Sequence, residues 1–358
     1  MDLSHFLGAL ERSRLLAGID LDACRQRARQ EQHLTPEQLA EELQKLGKLS
    51  SYQRRKLLDG RSSGFLLGAY EILAPLGKGG MGYVYLARDH EHQRLVALKV
   101  VSPRQKAAHP SLLPRLEREM TFSRRLAHPG VVKVYALIEH NGVHCLAMEH
   151  VQGLDLFRLV RRQGVLSPVI AAHLLAQAAV ALDEVHRRGI VHTDLKPGNL
   201  LVNSGQCAID RQRDPSRNGQ PTGEQPKPTV KIIDFGLALD LSNPERNHEA
   251  VRPGRIAGTF GYAAPEQTKA GLDVGPAADI FALGSTLFYL LTGEVPFNGP
   301  TTREKIRKIR HEAPAWYLLP AGTPTALRRL MQSMLAKRPK HRPGTAGLAA
   351  DGLLRAVK

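Results

Sequence analysis

The chain has 358 residues, with 50 Lys and Arg against 34 Asp and Glu, which gives a formal net charge of +16 and a pI near 10.0. A hydrophobic fraction of 42% provides enough apolar surface for a large buried core, which excludes a disordered chain and indicates two or three structural units. The basic excess suggests binding to nucleic acid or to an anionic membrane, and we keep that hypothesis as the first alternative.

The cysteine pattern indicates a reducing compartment, and the hydropathy indicates no membrane span. The 3 cysteines are widely spaced and form no CxxC pair, so we expect neither a disulfide framework nor a structural zinc site. Residues 1–10 show no signal-peptide pattern, and the longest apolar stretch, residues 280–291, is too short to span a bilayer. The sequence therefore predicts a cytoplasmic protein without a membrane span.

Residues 1–65 are predicted to form a small helical module. The apolar residues that recur there at helical spacing are Leu39, Leu43 and Leu46. Thr35 followed by Pro36 is a typical helix start, and a second short helix is expected up to Leu58. Charges nearly balance, with 11 basic and 9 acidic residues between positions 1 and 64.

From residue 70 the pattern changes to strands and then to helices. Strands are predicted at residues 70–76, 82–89, 95–101, 131–139 and 142–149, with a helix at 112–126. The clearest helical periodicity lies at residues 168–188, 279–292, 303–311 and 325–335. Strands followed by helices indicate an α+β fold of two lobes.

A glycine-rich run lies between two predicted strands. Residues 77–84 read GKGGMGYV, the pattern GxGxxGxV, in which glycines let backbone N–H groups approach phosphate oxygens closely. Taken alone, this pattern fits a plain β-hairpin equally well. Because a strand rather than a helix follows the glycines, a dinucleotide site of the Rossmann type is disfavoured.

Lys99 ends the apolar strand VALK, seventeen residues after Gly82. Its ammonium could meet the α- and β-phosphates of a nucleotide if a carboxylate held it in place, and the alternative is an ordinary surface lysine. Glu119 in the following helix is the favoured partner, with Glu117 as the second choice.

Two polar segments follow apolar ones further along the chain. Residues 191–200 read VHTDLKPGNL, and residues 232–236 read IIDFG. Phosphoryl transfer requires a carboxylate for the attacking hydroxyl, a cation on the γ-phosphate and an amide oxygen on Mg²⁺. The residues that supply these groups in order are Asp194, Lys196 and Asn199. Asp234 is a natural second magnesium ligand, although each segment alone also fits a polar turn.

In this order and spacing the motifs resemble those of the eukaryotic-like protein kinase family, over residues 70–357. Three further elements carry the resemblance: APE at residues 264–266, DIFALG at residues 279–284, and Arg342, which matches the arginine that pairs with the APE glutamate. The variants GKGGMG, HPGVV and LTG are most similar to bacterial serine/threonine kinases.

The resemblance implies a bilobal fold with a β-rich N-lobe at about 70–150 and an α-rich C-lobe at about 153–357, in a kinase domain at 66–358 that follows the helical module. It implies transfer of the γ-phosphoryl group of ATP to Ser or Thr of proteins in bacterial signalling, with autophosphorylation, and with Mg²⁺ or alternatively Mn²⁺. Residues 49–61 are also similar to a helical preamble of some bacterial kinases.

Site residues follow from the same resemblance. The implied catalytic residues are Asp194, Lys196, Lys99 and Glu119. The implied nucleotide-binding residues are Gly77, Lys78, Gly79, Gly80, Met81, Gly82, Val84, Ala97, Lys99, Met148, Glu149, Val151 and Leu201. Among these, Met148 would be the gatekeeper, and Glu149 and Val151 would form the hinge. The implied metal ligands are Asn199 and Asp234. Lys196, with Thr259 further on, is the serine/threonine type of pattern.

The chain departs from the family pattern in two places. Thr193 stands where many members have an arginine that binds a phosphorylated activation loop, and Ser242 is the only hydroxyl side chain between Asp234 and Gly258. We therefore expect catalysis without activation-loop phosphorylation.

Residues 203–229 form an insertion with four prolines and three glycines, which we expect to be a mobile surface loop. The candidates for autophosphorylation in that insertion are Ser216 and Thr222, and an inert spacer is the alternative.

Two other functions remain as alternatives. A pseudokinase scaffold usually lacks one of the five residues that the chemistry needs, and this chain has Lys99, Glu119, Asp194, Asn199 and Asp234. Nucleic-acid binding rests on charge alone, because residues 301–342 carry eleven basic and two acidic residues without aromatic interleaving or a helix-turn-helix pattern. We expect a solvated helical face there, or docking of an acidic partner, and no nucleic acid. The pattern predicts neither the substrate protein nor the oligomeric state.

Overall fold

The computed structural model describes residues 2–31, 33–79, 82–203, 228–247, 259–269 and 274–358. These residues form two compact units. The first comprises Met1–Leu113 together with Val134–His150, and the second comprises Pro114–Lys133 together with Val151–Lys358. The insertion expected at residues 203–229 lies outside the described residues except at its two ends.

The first unit begins with helices, as the sequence predicts. Their bounds are Leu3–Ser13 (α1), Gly18–Gln30 (α2), Pro36–Lys45 (α3) and Ser51–Leu58 (α4). Helices α3 and α4 begin with capping boxes, built by Thr35 with Gln38 and by Ser50 with Gln53. The helices bury a core of their own around Phe6. The sequence does not predict α2, because its many charged residues hide the apolar period.

An antiparallel sheet follows the helices. Its strands are Leu66–Leu67 (β1), Tyr70–Gly79 (β2), Gly82–Asp89 (β3), Arg94–Val101 (β4), Val134–His140 (β5) and Val143–Glu149 (β6). They pair in the order β1-β2-β3-β4-β6-β5 around a core that includes Val96, Leu98 and Ala147. A short helix, Pro103–Ala108 (α5), follows β4. The predicted strands are confirmed except that the start at residue 131 is wrong, because Val131 forms an isolated parallel bridge with Ile232 in the second unit.

Helices dominate the second unit. They are Leu112–Arg125 (α6), which enters this unit at Pro114, and Leu156–Gln163 (α7), Pro168–Arg187 (α8), Pro276–Thr292 (α9), Thr302–His311 (α10), Thr325–Met334 (α11) and Ala346–Arg355 (α12). Short strands connect them: Gly153–Asp155 (β7), Ile190–Val191 (β8), Leu200–Asn203 (β9), Val230–Ile232 (β10) and Leu239–Asp240 (β11). The strands pair as β10-β9-β7 and β11-β8. The predicted helices of this unit are confirmed, while the sequence does not predict α7 and α12.

Helices α8 and α9 form the centre of the second unit. Every residue of α9 from Ala278 to Leu291 is buried, and α8 buries ten residues, mostly alanine and leucine. By length and composition α8 is the one helix of the described residues that could cross a membrane, and 56% of its apolar window is buried inside the protein. Its sequence contains no long uninterrupted apolar stretch, because polar residues interrupt its alanines and leucines.

A buried ion pair joins the APE element to α9. Arg342 donates from Nη1 and Nη2 to the two carboxylate oxygens of Glu266, at 2.5 and 2.9 Å. The guanidinium also donates to Ala277 O at 2.8 Å and lies 5.0 Å from the ring centre of Phe281 in α9. The pairing that the sequence predicts for Arg342 is therefore confirmed, and its bidentate geometry is the strong form of a carboxylate–guanidinium contact.

We expect Arg342→Leu to lower the free energy of unfolding by about 3 kcal/mol, because the Glu266 carboxylate stays buried without its cation. Urea unfolding followed by the fluorescence of Trp316, which packs against Phe288 in the same unit, measures the loss. Arg338→Leu, an exposed position four residues earlier, is the control, with an expected change below about 0.5 kcal/mol. Equal losses in the two variants would contradict this role of the pair.

Candidate active site

The glycine motif lies in the hairpin of β2 and β3, in the first unit. Gly79 pairs with Gly82 and Gly77 with Val84. Gly80 and Met81, which the sequence assigns to the same motif, lie outside the described residues. Gly82 has a φ of +133°, and a Cβ atom there would come within 2.4 Å of the backbone oxygen of Val100, so this position requires glycine. A strand follows the motif, as the sequence predicts.

Lys99 lies in the next strand, directly opposite Val84 of the glycine hairpin. Its side chain is buried, with 7% of the residue exposed. On the same strand Ala97 pairs with Met148 of β6, and both are buried. The alternative of an ordinary surface lysine is therefore wrong. The lysine, the small residue and the proposed gatekeeper share one continuous sheet with the glycine motif.

The predicted hinge crosses the boundary of the two units. Glu149 ends β6 in the first unit, and Val151 begins the following segment in the second unit. Lys99 and Glu119 are likewise divided, with Lys99 in the first unit and Glu119 in the second. Within α6, Glu119 is buried and Glu117 is exposed. This difference supports the choice of Glu119 over Glu117 as the partner of Lys99, which stays a prediction.

In the second unit, α9 holds the segment that precedes Asp194. The carboxylate of Asp279 accepts the backbone N–H groups of His192 and Thr193, both at 2.8 Å, and lies 2.8 Å from Nε2 of His186. The side chain of His192 contacts the segment before Asp234, because its Nε2 is 3.0 Å from the backbone oxygen of Ile233. The turn that carries Asp194 is thus fixed by a buried carboxylate and by the strand end that precedes Asp234.

Asp194, Lys196 and Thr259 form a closed group of hydrogen bonds. The ammonium of Lys196 donates to Asp194 Oδ2 at 2.5 Å and to the Thr259 hydroxyl at 2.8 Å. That hydroxyl donates to the other carboxylate oxygen of Asp194 at 2.9 Å. Asp194 is buried with 8% of its surface exposed, so these contacts take the place of most of its water. The group presents a carboxylate beside a cation, the pair that phosphoryl transfer to a hydroxyl requires.

Asn199 and Asp234 lie at the ends of the paired strands β9 and β10. The amide nitrogen of Asn199 donates to Asp194 O at 2.8 Å, which leaves its Oδ1 as the acceptor of this side chain. Its backbone oxygen accepts the N–H of Ile233, the residue before Asp234. Asp234 has a φ of +70°, and Leu201 lies in β9 opposite Lys231. The second unit therefore brings together the predicted metal ligands and Asp194.

The donor set fits a magnesium ion that also binds phosphate. Among the described residues, no three side chains of His, Cys, Asp or Glu form a metal cluster. One carboxylate and one amide oxygen are too few to bind a metal alone, and they match the preference of Mg²⁺ for one or two protein oxygens with phosphate and water.

Thr259 and Gln267 contact this site although no sequence motif assigns them to it. The amide of Gln267 donates to the backbone oxygen of Thr193 at 2.6 Å, next to Asp194. Both residues lie near the APE element, 65 and 74 positions from their partners. The position of Thr259 shortly before APE is the signal that could have placed it in the site.

The comparisons with known proteins agree with these motifs. The family model "Protein kinase domain" matches residues 70–353. The serine/threonine-protein kinase PrkC of Bacillus subtilis is 31% identical over 280 residues, which cover 78% of this chain and 39% of that protein. Serine/threonine-protein kinase PknD of Mycobacterium tuberculosis is 33% identical over 286 residues, which cover 79% of this chain and 39% of that protein.

A third relative, serine/threonine-protein kinase pkn2 of Myxococcus xanthus, is 32% identical over 291 residues, which cover 80% of this chain and 32% of that protein. The chain thus matches about two fifths or less of the length of these three relatives. From the match over residues 70–353, the chain belongs to the protein kinase family, among the eukaryotic-like serine/threonine kinases of bacteria.

Proposed function

We propose that this chain is a serine/threonine protein kinase that transfers the γ-phosphoryl group of Mg-ATP to Ser or Thr hydroxyls of proteins. The observation that carries the proposal is the hydrogen-bonded group of Asp194, Lys196 and Thr259. A protein kinase domain generally uses ATP and a divalent metal, and we propose Mg²⁺ as that metal, with Mn²⁺ as an alternative.

Four side chains of this site would each have a separate role in the transfer. Asp194 would orient the attacking hydroxyl and accept its proton, while Lys196 would neutralise charge on the transferred group. Asn199 and Asp234 would hold the metal ion, which when bound offsets the negative charge of the phosphates.

The nucleotide would be bound by the residues that the family resemblance implies. Backbone N–H groups of the glycine motif and the ammonium of Lys99, oriented by Glu119, would position the phosphates. Val84, Ala97 and Leu201 would enclose the base, beside the Met148 gatekeeper and the Glu149–Val151 hinge. All five residues that a pseudokinase tends to lose are present in the sequence, which supports the active enzyme.

We further propose a cytoplasmic location and, for residues 301–342, docking of an acidic partner rather than of nucleic acid. Helix α10 supports this interpretation, because Ile309 is buried while Arg303 and Arg307 are exposed on the solvent side. We also propose that residues 1–65 are a small helical module that precedes the kinase domain at 66–358, and that the kinase autophosphorylates.

We expect Asp194→Asn to lower kcat at least about 100-fold, because the amide cannot accept the proton of the attacking hydroxyl. Transfer of labelled phosphate from ATP to a generic basic protein measures the rate. Asp351→Asn, an exposed carboxylate on α12, is the matched control and should keep the parental rate. If Asp194→Asn transfers phosphate as fast as the parent, the assigned chemistry is wrong.

The hydroxyl of Thr259 gives a second test of the same group. We expect Thr259→Ala to reduce kcat about tenfold or more, because Lys196 and the buried Asp194 each lose a hydrogen-bond partner. Thr259→Ser keeps the hydroxyl, so its kcat should stay within about threefold of the parent. Equal rates for the alanine and serine variants would show that this hydroxyl does not position the two charged groups.

We expect activity to be independent of activation-loop phosphorylation. Thr193 has no cationic group that could bind a phosphate. Its buried hydroxyl donates to the backbone oxygen of Leu237 at 2.8 Å. Residues 248–258 lie outside the described residues, as do Ser216 and Thr222. Phosphatase treatment of the purified enzyme, with mass spectrometry to verify removal of phosphate, should leave most of the activity. Loss of most activity would contradict the expectation.

A further inference from the structure

Helix α4 of the helical module is hydrogen-bonded to strand β2 of the kinase domain. Gln53 is fully buried, and its amide nitrogen donates to Glu71 Oε1 and to Ile72 O, both at 2.9 Å. The hydroxyl of Ser50 donates to Leu73 O at 2.6 Å. One turn of α4 therefore binds three consecutive residues of β2.

The bound part of β2 is irregular. The register with β3 shifts between Ile72 and Ala74, so Leu73 is an extra residue in a β-bulge, and a second shift follows between Pro75 and Gly77. A bulge leaves its extra residue out of the ladder of strand hydrogen bonds. Ser50 supplies a donor to the carbonyl of that extra residue, so α4 fixes a segment that the sheet alone leaves loose.

Aromatic side chains extend this contact towards the glycine motif. The ring of Tyr52 in α4 lies 6.3 Å from the ring of Tyr85 in β3, and Tyr85 stacks on Tyr83 at 6.2 Å. Tyr83 lies beside Gly82 and pairs with Lys78, whose ammonium is 5.4 Å from the tyrosine ring centre. Helix α4 thus contacts both strands of the glycine hairpin, one strand through hydrogen bonds and the other through aromatic rings.

The opposite side of α4 is anchored in the helical core. Leu57 is fully buried in the cluster that contains Phe6 and Leu10 of α1. Because this core holds α4 in place, the hydrogen bonds of α4 can hold β2 in place as well.

We infer that Gln53 is a positioning residue for nucleotide binding: it fixes the bulged segment of β2 and thereby sets the geometry of the glycine motif into which the strand runs. The inference rests on the proposed kinase function. It gives the segment before the kinase domain a role in the affinity for ATP.

The decisive variant is Gln53→Glu. A glutamate at this position still completes the capping box of α4, because its carboxylate accepts the N–H of Ser50 as the glutamine does. The carboxylate cannot donate to Glu71 or to Ile72 O, and it lies against the like charge of Glu71. We expect the KM for ATP to rise about three- to tenfold, with kcat within about twofold of the parent.

Gln38→Glu is the matched control. Gln38 completes the same kind of capping box with Thr35 at the start of α3, where it is exposed. The substitution makes the same change of charge in the same module, so it should leave KM and kcat at the parental values.

A reciprocal swap tests the hydrogen bond itself. Gln53→Glu combined with Glu71→Gln places the donor on the strand and the acceptor on the helix, but it restores no donor to Ile72 O. We therefore expect KM to fall only part of the way back to the parental value, and no recovery at all would contradict a role for the side-chain pair.

If Gln53→Glu proves unfolded by circular dichroism, Gln53→Met replaces it, with Gln38→Met as its control. Methionine removes the amide donor to Glu71 and to Ile72 O without adding a charge, and we expect KM for ATP to rise about threefold or more. A parental KM in Gln53→Met would overturn the inference.

Calorimetric titration of Mg-ATP into the same variants separates the two proposals, because binding does not require transfer. If the parent binds ATP but transfers no phosphate, the proposed function fails, and a weaker Kd in Gln53→Glu alone still supports the inference. If the parent is active but Gln53→Glu and Gln38→Glu share its KM and Kd, the inference fails and the kinase function stands.

Discussion

A single buried carboxylate fixes the turn on which the proposed chemistry depends. Asp279 is fully buried and accepts the backbone N–H groups of His192 and Thr193. Thr193 has a φ of 64°, a conformation that is costly for a β-branched residue and persists only where its surroundings hold it. Because Asp194 follows directly, its position is set by α9 before any substrate binds. A charge that costs free energy to bury is thus stabilised by the backbone groups that it orients.

Helix α9 also supports the buried ion pair of Arg342 and Glu266. Arg342 donates to the carbonyl of Ala277 and lies over the ring of Phe281, so its contacts with α9 fall within one turn on either side of Asp279. Glu266, its partner, is followed directly by Gln267, which donates to the backbone of Thr193. The APE element and the turn before Asp194 are therefore tied both to α9 and to each other, and removal of one contact loosens a network rather than a single bond.

Much of this arrangement could be predicted from the sequence, because each motif keeps its groups within a few positions. Asp194, Lys196 and Asn199 are an example, since their spacing alone suggests their roles. Contacts between distant segments could be predicted only where the family resemblance implies them, as for Arg342 and Glu266. The hydroxyl of Thr259 meets Asp194 across 65 positions, and the residues around either one do not indicate this contact. The spacing of Ser50 and Gln53 is typical of a capping box, but nothing near them in the sequence shows that the Gln53 amide also reaches a strand. Helix α12 is missed because its many small residues give a weak apolar period.

The net charge shows how composition can mislead about surface chemistry. Several of the cations between residues 301 and 342 are used inside the second unit. Arg342 is buried against Glu266, and Arg310 donates from Nε to the Thr268 hydroxyl at 2.8 Å. Lys337 donates to the carbonyls of Lys308 and Ile309 in the last turn of α10, at 3.2 and 2.7 Å, although burial lowers its pKa to about 8. Cations at the end of a helix stabilise its free carbonyls. The basic surface available to a partner is therefore smaller than the count of basic residues suggests.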